Sequence, residues 1–84
     1  MTQTERTIRA FLTDNFFVED HEIDGDTSLI GTSVIDSTGV LEIIIFIEET
    51  FGISVPDSDA VPENLDTVDN MVSYVQGRVA RLSA

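Results

Sequence analysis

The stretch VIDSTGVLEIIIFIEETFG, residues 34–52, decides how the rest of the chain is read. Wound at about 100° per residue, it brings Val40, Ile43, Ile44, Ile47 and Phe51 to one side, which predicts an amphipathic helix with a core-facing stripe. Asp36 is a strong N-cap, because its carboxylate accepts from the exposed amides of the first turn and meets the positive end of the helix dipole. Gly52 stands where a left-handed residue commonly closes a helix. The spacing therefore predicts a helix that starts at Asp36 or Ser37 and ends at Phe51.

The opposite side of this helix carries Thr38, Glu42, Ile45 and Glu49, with Leu41 and Glu48 on one flank and Phe46 on the other. Ile45 falls between two glutamates, where a soluble monomer gains nothing by exposing it. A lone exposed isoleucine is ordinary; together with Leu41 and the surrounding carboxylates it makes an apolar spot with an acidic rim, the composition of an interface. Ser37 is the other anomaly. Serine near a helix start is most often a cap, but Asp36 already fills that role, which leaves the Ser37 hydroxyl free at the first turn and open to an enzyme. A phosphoester formed there would be favoured by the helix N-terminus.

Outward from this helix, residues 4–17 (TERTIRAFLTDNFF) place Ile8, Phe11, Leu12 and Phe16 at spacings of three and four, which predicts a first helix. Thr2 or Thr4 caps it, and Thr2 with Glu5 fits a capping box. Residues 18–35 lose the period and read as a long loop pinned to the core by Ile23, Leu29, Ile30 and Ile35; loops beyond about 12–15 residues are usually functional or disordered. A short segment around residues 59–64 makes one or two turns, with Pro62 limiting its regularity. In LDTVDNMVSYVQGRVARL, residues 65–82, a helical stripe of Val68, Met71, Val72, Val75, Val79 and Leu82 follows a cap at Asp66 or Thr67. Strand alternation, internal repeats and linkers are absent from the sequence. The expected fold is all-α, a small four-helix bundle of three main helices and one short one, with residues 1–84 as a single domain.

Charge restricts the partners. The net charge is -12, and all four basic residues are arginines near the ends: Arg6, Arg9, Arg78 and Arg81. Every one of the 16 Asp and Glu except Glu5 falls between Ala10 and Gly77. Such a surface repels nucleic acid and anionic lipid and attracts basic protein patches. With no cysteine there is neither a disulfide nor a thiolate metal site. The apolar run at residues 43–47 is far short of the roughly 20 residues needed to cross a bilayer, and the first ten residues lack the pattern of a signal peptide. The expectation is a cytoplasmic monomer without a membrane span.

Residues 29–56, LIGTSVIDSTGVLEIIIFIEETFGISVP, resemble the acyl carrier protein and peptidyl carrier protein family, whose hallmark is an Asp-Ser pair opening the second helix. The pair alone is common; joined to an acidic helix, the FGISVP continuation, the closing LDTVDNMVSYV and a four-helix layout, it is specific. The similarity covers roughly residues 6–76. It implies that Ser37 carries 4'-phosphopantetheine, transferred from coenzyme A by a phosphopantetheinyl transferase with a magnesium ion, and that Asp36 orients the helix start and helps hold that ion in the complex. The arm ends in a thiol that holds acyl or aminoacyl groups as thioesters. Implied partners are an acyl- or amino-acid-activating ligase and downstream acyl-transfer enzymes with basic docking patches, in fatty acid or secondary metabolite biosynthesis. The docking face would comprise Thr38, Leu41, Glu42, Ile45, Glu48 and Glu49.

The chain departs from the usual Asp-Ser-Leu form. Its DSTG is closer to the Asp-Ser-Met-Gly form of D-alanyl carrier proteins, which favours specialised or aminoacyl cargo over bulk fatty acid synthesis. Gly39 gives up about 1 kcal/mol of helix propensity relative to Ala, which suggests a close approach by a partner backbone or a loosened first turn.

Other chemistries fit less well. DHEIDGDTSLIG, residues 20–31, begins like a calcium loop but ends on Gly31 where a bidentate Glu belongs. His21 has neighbouring carboxylates but no nucleophile beside it, and Glu48 and Glu49 point in different directions on a helix. The sequence assigns no intrinsic catalysis and no resident metal. The rival to a carrier is an unmodified acidic interaction module in which Ser37 is only a cap.

Overall fold

The computed structural model describes residues 2–16 and 18–82. The order of helices is α1 (Gln3–Asn15), α2 (Ser37–Phe51), α3 (Pro62–Leu65) and α4 (Val68–Leu82), with single 3-10 turns at Asp20–Glu22 and Asp57–Asp59. Among the described residues there is no strand, and the architecture is the expected small all-α bundle of three main helices and one short one. Phe17, the last residue of the predicted first helix, lies outside the described residues; α1 itself ends at Asn15.

Each helix starts for a local reason. The Thr2 hydroxyl accepts from the Glu5 amide at 3.2 Å and caps α1. At α4 the choice between two caps resolves to Thr67, whose Oγ1 accepts from the Asn70 amide at 3.1 Å. Pro62 begins α3 instead of limiting it, since a proline at the first helical position loses no hydrogen bond and is preset in φ. The expected turn at residues 59–64 is therefore two elements, a 3-10 turn before the proline and α3 after it.

The described residues share one core. Ile8 and Leu12 of α1, Ile43 and Ile47 of α2, Leu65 of α3, and Val68, Met71 and Val75 of α4 are buried together, and no polar side chain is buried with them. The α4 stripe leaves this core before it ends, with Leu82 64% exposed. Between α1 and α2 the contact is aromatic: Phe11 and Phe46 stack at 4.0 Å with their planes 8° apart, and Phe16 and Phe51 meet them edge-on.

The long loop is pinned as expected at Ile23, Leu29 and Ile35, and also at Val18, all buried. Ile30 is the exception at 39% exposed, because Leu29 beside it takes the core position. Arg9 ties the loop to α1, donating to Glu5 at 2.8 Å, to Asp20 at 3.3 Å and to the Ile23 carbonyl at 2.7 Å. Asp66 then holds the segment leading to α2. Its carboxylate accepts from the Ser28 hydroxyl at 2.7 Å and the Ile30 amide at 2.8 Å, and its carbonyl accepts from the Leu29 amide at 2.8 Å. The turn that follows closes with Val34 donating to the Leu29 carbonyl at 3.0 Å and Ser33 to the Ile30 carbonyl at 3.1 Å. Ser33 sits at φ 64°, the left-handed position that such a closing motif requires.

Two measurements follow from these contacts. Asp66→Ala removes two charge-assisted hydrogen bonds at once, and should lower stability by about 2 kcal/mol, read as a shift in the urea midpoint at unchanged m value. Tyr74 is held by burial and by donating to Asp59 at 2.8 Å, which push its phenol up to about 12. Since the folded value lies above the ordinary value of about 10, the stability that this group contributes is present below the ordinary value and lost as pH rises toward the folded one. Ultraviolet titration of this single tyrosine should show the raised midpoint, and Asp59→Asn should lower it.

Candidate functional site

Asp36 and Ser37 open α2. Asp36 is extended at φ -103°, and its Oδ1 accepts from the Gly39 amide at 2.7 Å while its carbonyl takes the Val40 amide at 3.0 Å. It is the cap that the sequence predicts. With that role filled, the Ser37 hydroxyl is exposed and forms no hydrogen bond among the described residues. Thr38 is exposed as well, so residues 36–38 form a polar step on the surface.

Two buried neighbours fix that step. Before it, the Ile35 side chain enters the core; after it, Gly39 is buried against α1. A Cβ on Gly39 would lie 2.9 Å from Cε1 of Phe16 and 3.1 Å from Cγ2 of Ile35. The glycine is thus accounted for inside the molecule: it admits the Phe16 ring beneath the first turn of α2. The sequence pattern suggested an external approach or a loosened turn, and the missing information was the position of Phe16.

Open clefts flank the step on both sides. Toward α3, Ser37 lines a cleft of 240 Å³ with Ile30, Val40, Val61, Pro62 and Leu65. Exposed Ile30 thereby becomes an apolar wall of the site instead of a loop anchor. Toward α1, Asp36, Thr38 and Glu42 line a more polar cleft with Asn15 and Ser33.

Of the proposed docking residues, Thr38, Leu41, Glu42, Ile45 and Glu49 lie on the exposed side of α2, with Leu41 61% and Ile45 54% exposed. Glu48 differs. It is half-buried, and its Oε2 accepts from the Val55 amide at 2.9 Å, bracing the chain after α2. The calcium-like stretch is engaged in other bonds: Asp20 pairs with Arg9, and Glu22 accepts from the Glu19 amide at 2.9 Å. Among the described residues no group of three or more His, Cys, Asp or Glu is arranged to hold a metal ion. His21 is exposed, its Nδ1 3.4 Å from Glu19. No family model matches the chain.

The packing at Gly39 generates a test. Gly39→Val gains helix propensity but forces a branched side chain against the Phe16 ring, and should lower stability by about 2 kcal/mol. Adding Phe16→Leu should recover part of that loss in the same denaturant titration, because the shorter side chain vacates the contact.

Proposed function

We propose that this protein is a carrier that holds acyl or aminoacyl groups as thioesters on a 4'-phosphopantetheine arm attached to Ser37. The observation that carries this reading is an exposed, unbonded serine hydroxyl beside an aspartate that already caps the helix. The resemblance of residues 29–56 to carrier proteins supports it. The site fits the group: Ser37 is open to an enzyme, and the amides of the α2 first turn favour a phosphodiester at that position.

In this reading the Ser37 oxygen attacks the β-phosphorus of coenzyme A, a new phosphorus–oxygen bond forms, and the pyrophosphate link breaks to release adenosine 3',5'-bisphosphate. The serine proton passes to a base of the transferase, and Asp36 holds the helix start in place and helps retain the enzyme's magnesium ion. The bound arm supplies a thiol, which this cysteine-free chain lacks. The chain's own contribution is to present Ser37 and to be recognised; bond-making belongs to the transferase, the activating ligase and the downstream acyl-transfer enzymes. A cytoplasmic setting and a monomeric state complete the proposal. Among the described residues no helix is long and apolar enough to cross a membrane.

Intact mass before and after incubation with a broad-specificity phosphopantetheinyl transferase and coenzyme A is the test. The expected result is a gain of one phosphopantetheine that Ser37→Ala abolishes, while the same substitution shifts stability by less than about 0.5 kcal/mol because the side chain is exposed. No gain under conditions that load a control carrier would leave an unmodified acidic interaction module.

A further inference from the structure

Ser37 opens onto two clefts, and Ile30 lines both. One, of 360 Å³, is lined further by Ser33, Ile35, Asp36 and Val40; the other, of 240 Å³, runs to α3 at Val61, Pro62 and Leu65. Ile30 is 39% exposed, so core packing does not fix its place. Its backbone does: the Ile30 amide donates to Asp66 Oδ1 at 2.8 Å, and the Ser28 hydroxyl donates to Oδ2 at 2.7 Å. The Ser28 oxygen accepts in turn from the Gly31 amide at 3.0 Å, so the turn is tied to itself as well as to Asp66. Asp66 also ends α3, its own amide donating to the Pro62 carbonyl at 2.9 Å. One residue therefore holds both walls of the cleft that Ser37 shares with α3. A second route runs along the backbone. The Leu29 amide donates to the Asp66 carbonyl at 2.8 Å, and the Leu29 carbonyl takes the Ile35 amide at 3.2 Å, immediately before the Asp36 cap.

We propose that Asp66 is a positioning residue for the modification of Ser37, acting through Ile30 and Ile35. Its carboxylate fixes the turn at residues 28–30 against the end of α3. That turn sets both the wall beside the hydroxyl and the point from which α2 starts. The serine oxygen must meet the attacked phosphorus in line, and misplacing a reacting group by about 1 Å costs up to about a hundredfold in rate. Burial of Leu29 alone would leave the turn free to tilt about its anchor, whereas two hydrogen bonds to one carboxylate impose a direction. The clasp makes no bond to the exposed side of α2. Alignment and recognition are therefore separable: loss of the clasp lowers turnover and spares binding. The proposal rests on the carrier reading and adds to it a residue remote in sequence from the Asp-Ser pair.

The test is the kinetics of loading by the transferase and coenzyme A, using the full chain at a temperature where every variant is folded. Asp66→Ala removes both carboxylate bonds but keeps the carbonyl bond to Leu29. It should lower kcat about tenfold, with KM for the carrier within about twofold of the parent. Asp66→Asn should recover most of that loss, because its amide oxygen can accept from Ile30 while its NH2 group donates to the Ser28 oxygen. Val75→Ala, a cut in the buried core of α4, controls for lost stability and should keep the parent kcat. Amide exchange in unmodified Asp66→Ala should quicken more over residues 28–37 than in α1. Asp66→Ala at the parent kcat overturns the proposal and leaves the carrier reading standing. An equal slowing of Asp66→Ala and Val75→Ala assigns the effect to stability and also overturns it, as does a slowing without faster exchange at residues 28–37. A parent that is never loaded overturns both readings.

Discussion

The Asp66 carboxylate at the junction of α3 and α4 accepts from Ser28 and Ile30, while the same residue's carbonyl takes the Leu29 amide. Those three bonds hold a loop that has little secondary structure of its own to the end of the bundle opposite in sequence. Leu29 is fully buried only because its backbone is fixed there, and the turn that begins at Leu29 ends by sending Ile35 into the core. Ile35 in turn sets where α2 starts. The placement of Ser37 therefore depends on a contact almost thirty residues further along the chain, and a buried leucine alone would not specify it, because hydrophobic burial has no direction whereas the paired carboxylate bonds do.

The acidic residues divide by what they already hold. Asp36, Glu48, Asp59 and Asp66 each accept from a group of the chain, and Glu5 and Asp20 share Arg9. Some of these bonds are local, as at Asp36 and Glu48, and others join distant segments, as Asp66 does with Ser28 and Asp59 with Tyr74. Glu42 and Glu49 are exposed and hold nothing among the described residues. In a molecule of net charge -12 most acids contribute to a diffuse field that salt screens. On α2 the two carboxylates without a partner among the described residues are the ones that bracket Ile45.

Much of this arrangement was legible in the sequence because its signals are local. The extent of α2, its Asp36 cap, its Gly52 stop at φ 67° and the burial of Ile43 and Ile47 follow from period and capping alone. The exposure of Leu41 and Ile45 was readable for the same reason. Signals that depend on residues distant in sequence were hidden. Nothing near Gly39 announces that Phe16 fills the space beneath it, nothing in the loop pattern distinguishes buried Leu29 from exposed Ile30, and the role of Asp66 is shared between two equally plausible capping positions until Ser28 is brought beside it. Likewise the α4 stripe runs on to Leu82 by period, yet that residue is 64% exposed.

The geometry around Ser37 also bears on where motion must reside. Asp36 is bonded to the first turn of α2, Ile35 is anchored on one side, and Gly39 is closed against Phe16 on the other, so the backbone that bears the hydroxyl has no loose joint. On the carrier reading proposed above, a group attached to Ser37 would reach several enzymes only through its own flexibility. On that reading, a fixed base would let each partner meet the same α2 surface and serine without first ordering a loop, which would lower the entropic cost of an encounter. Gly39 fits the same picture: the glycine weakens the helix intrinsically, and it leaves the space that the Phe16 ring fills beneath the first turn.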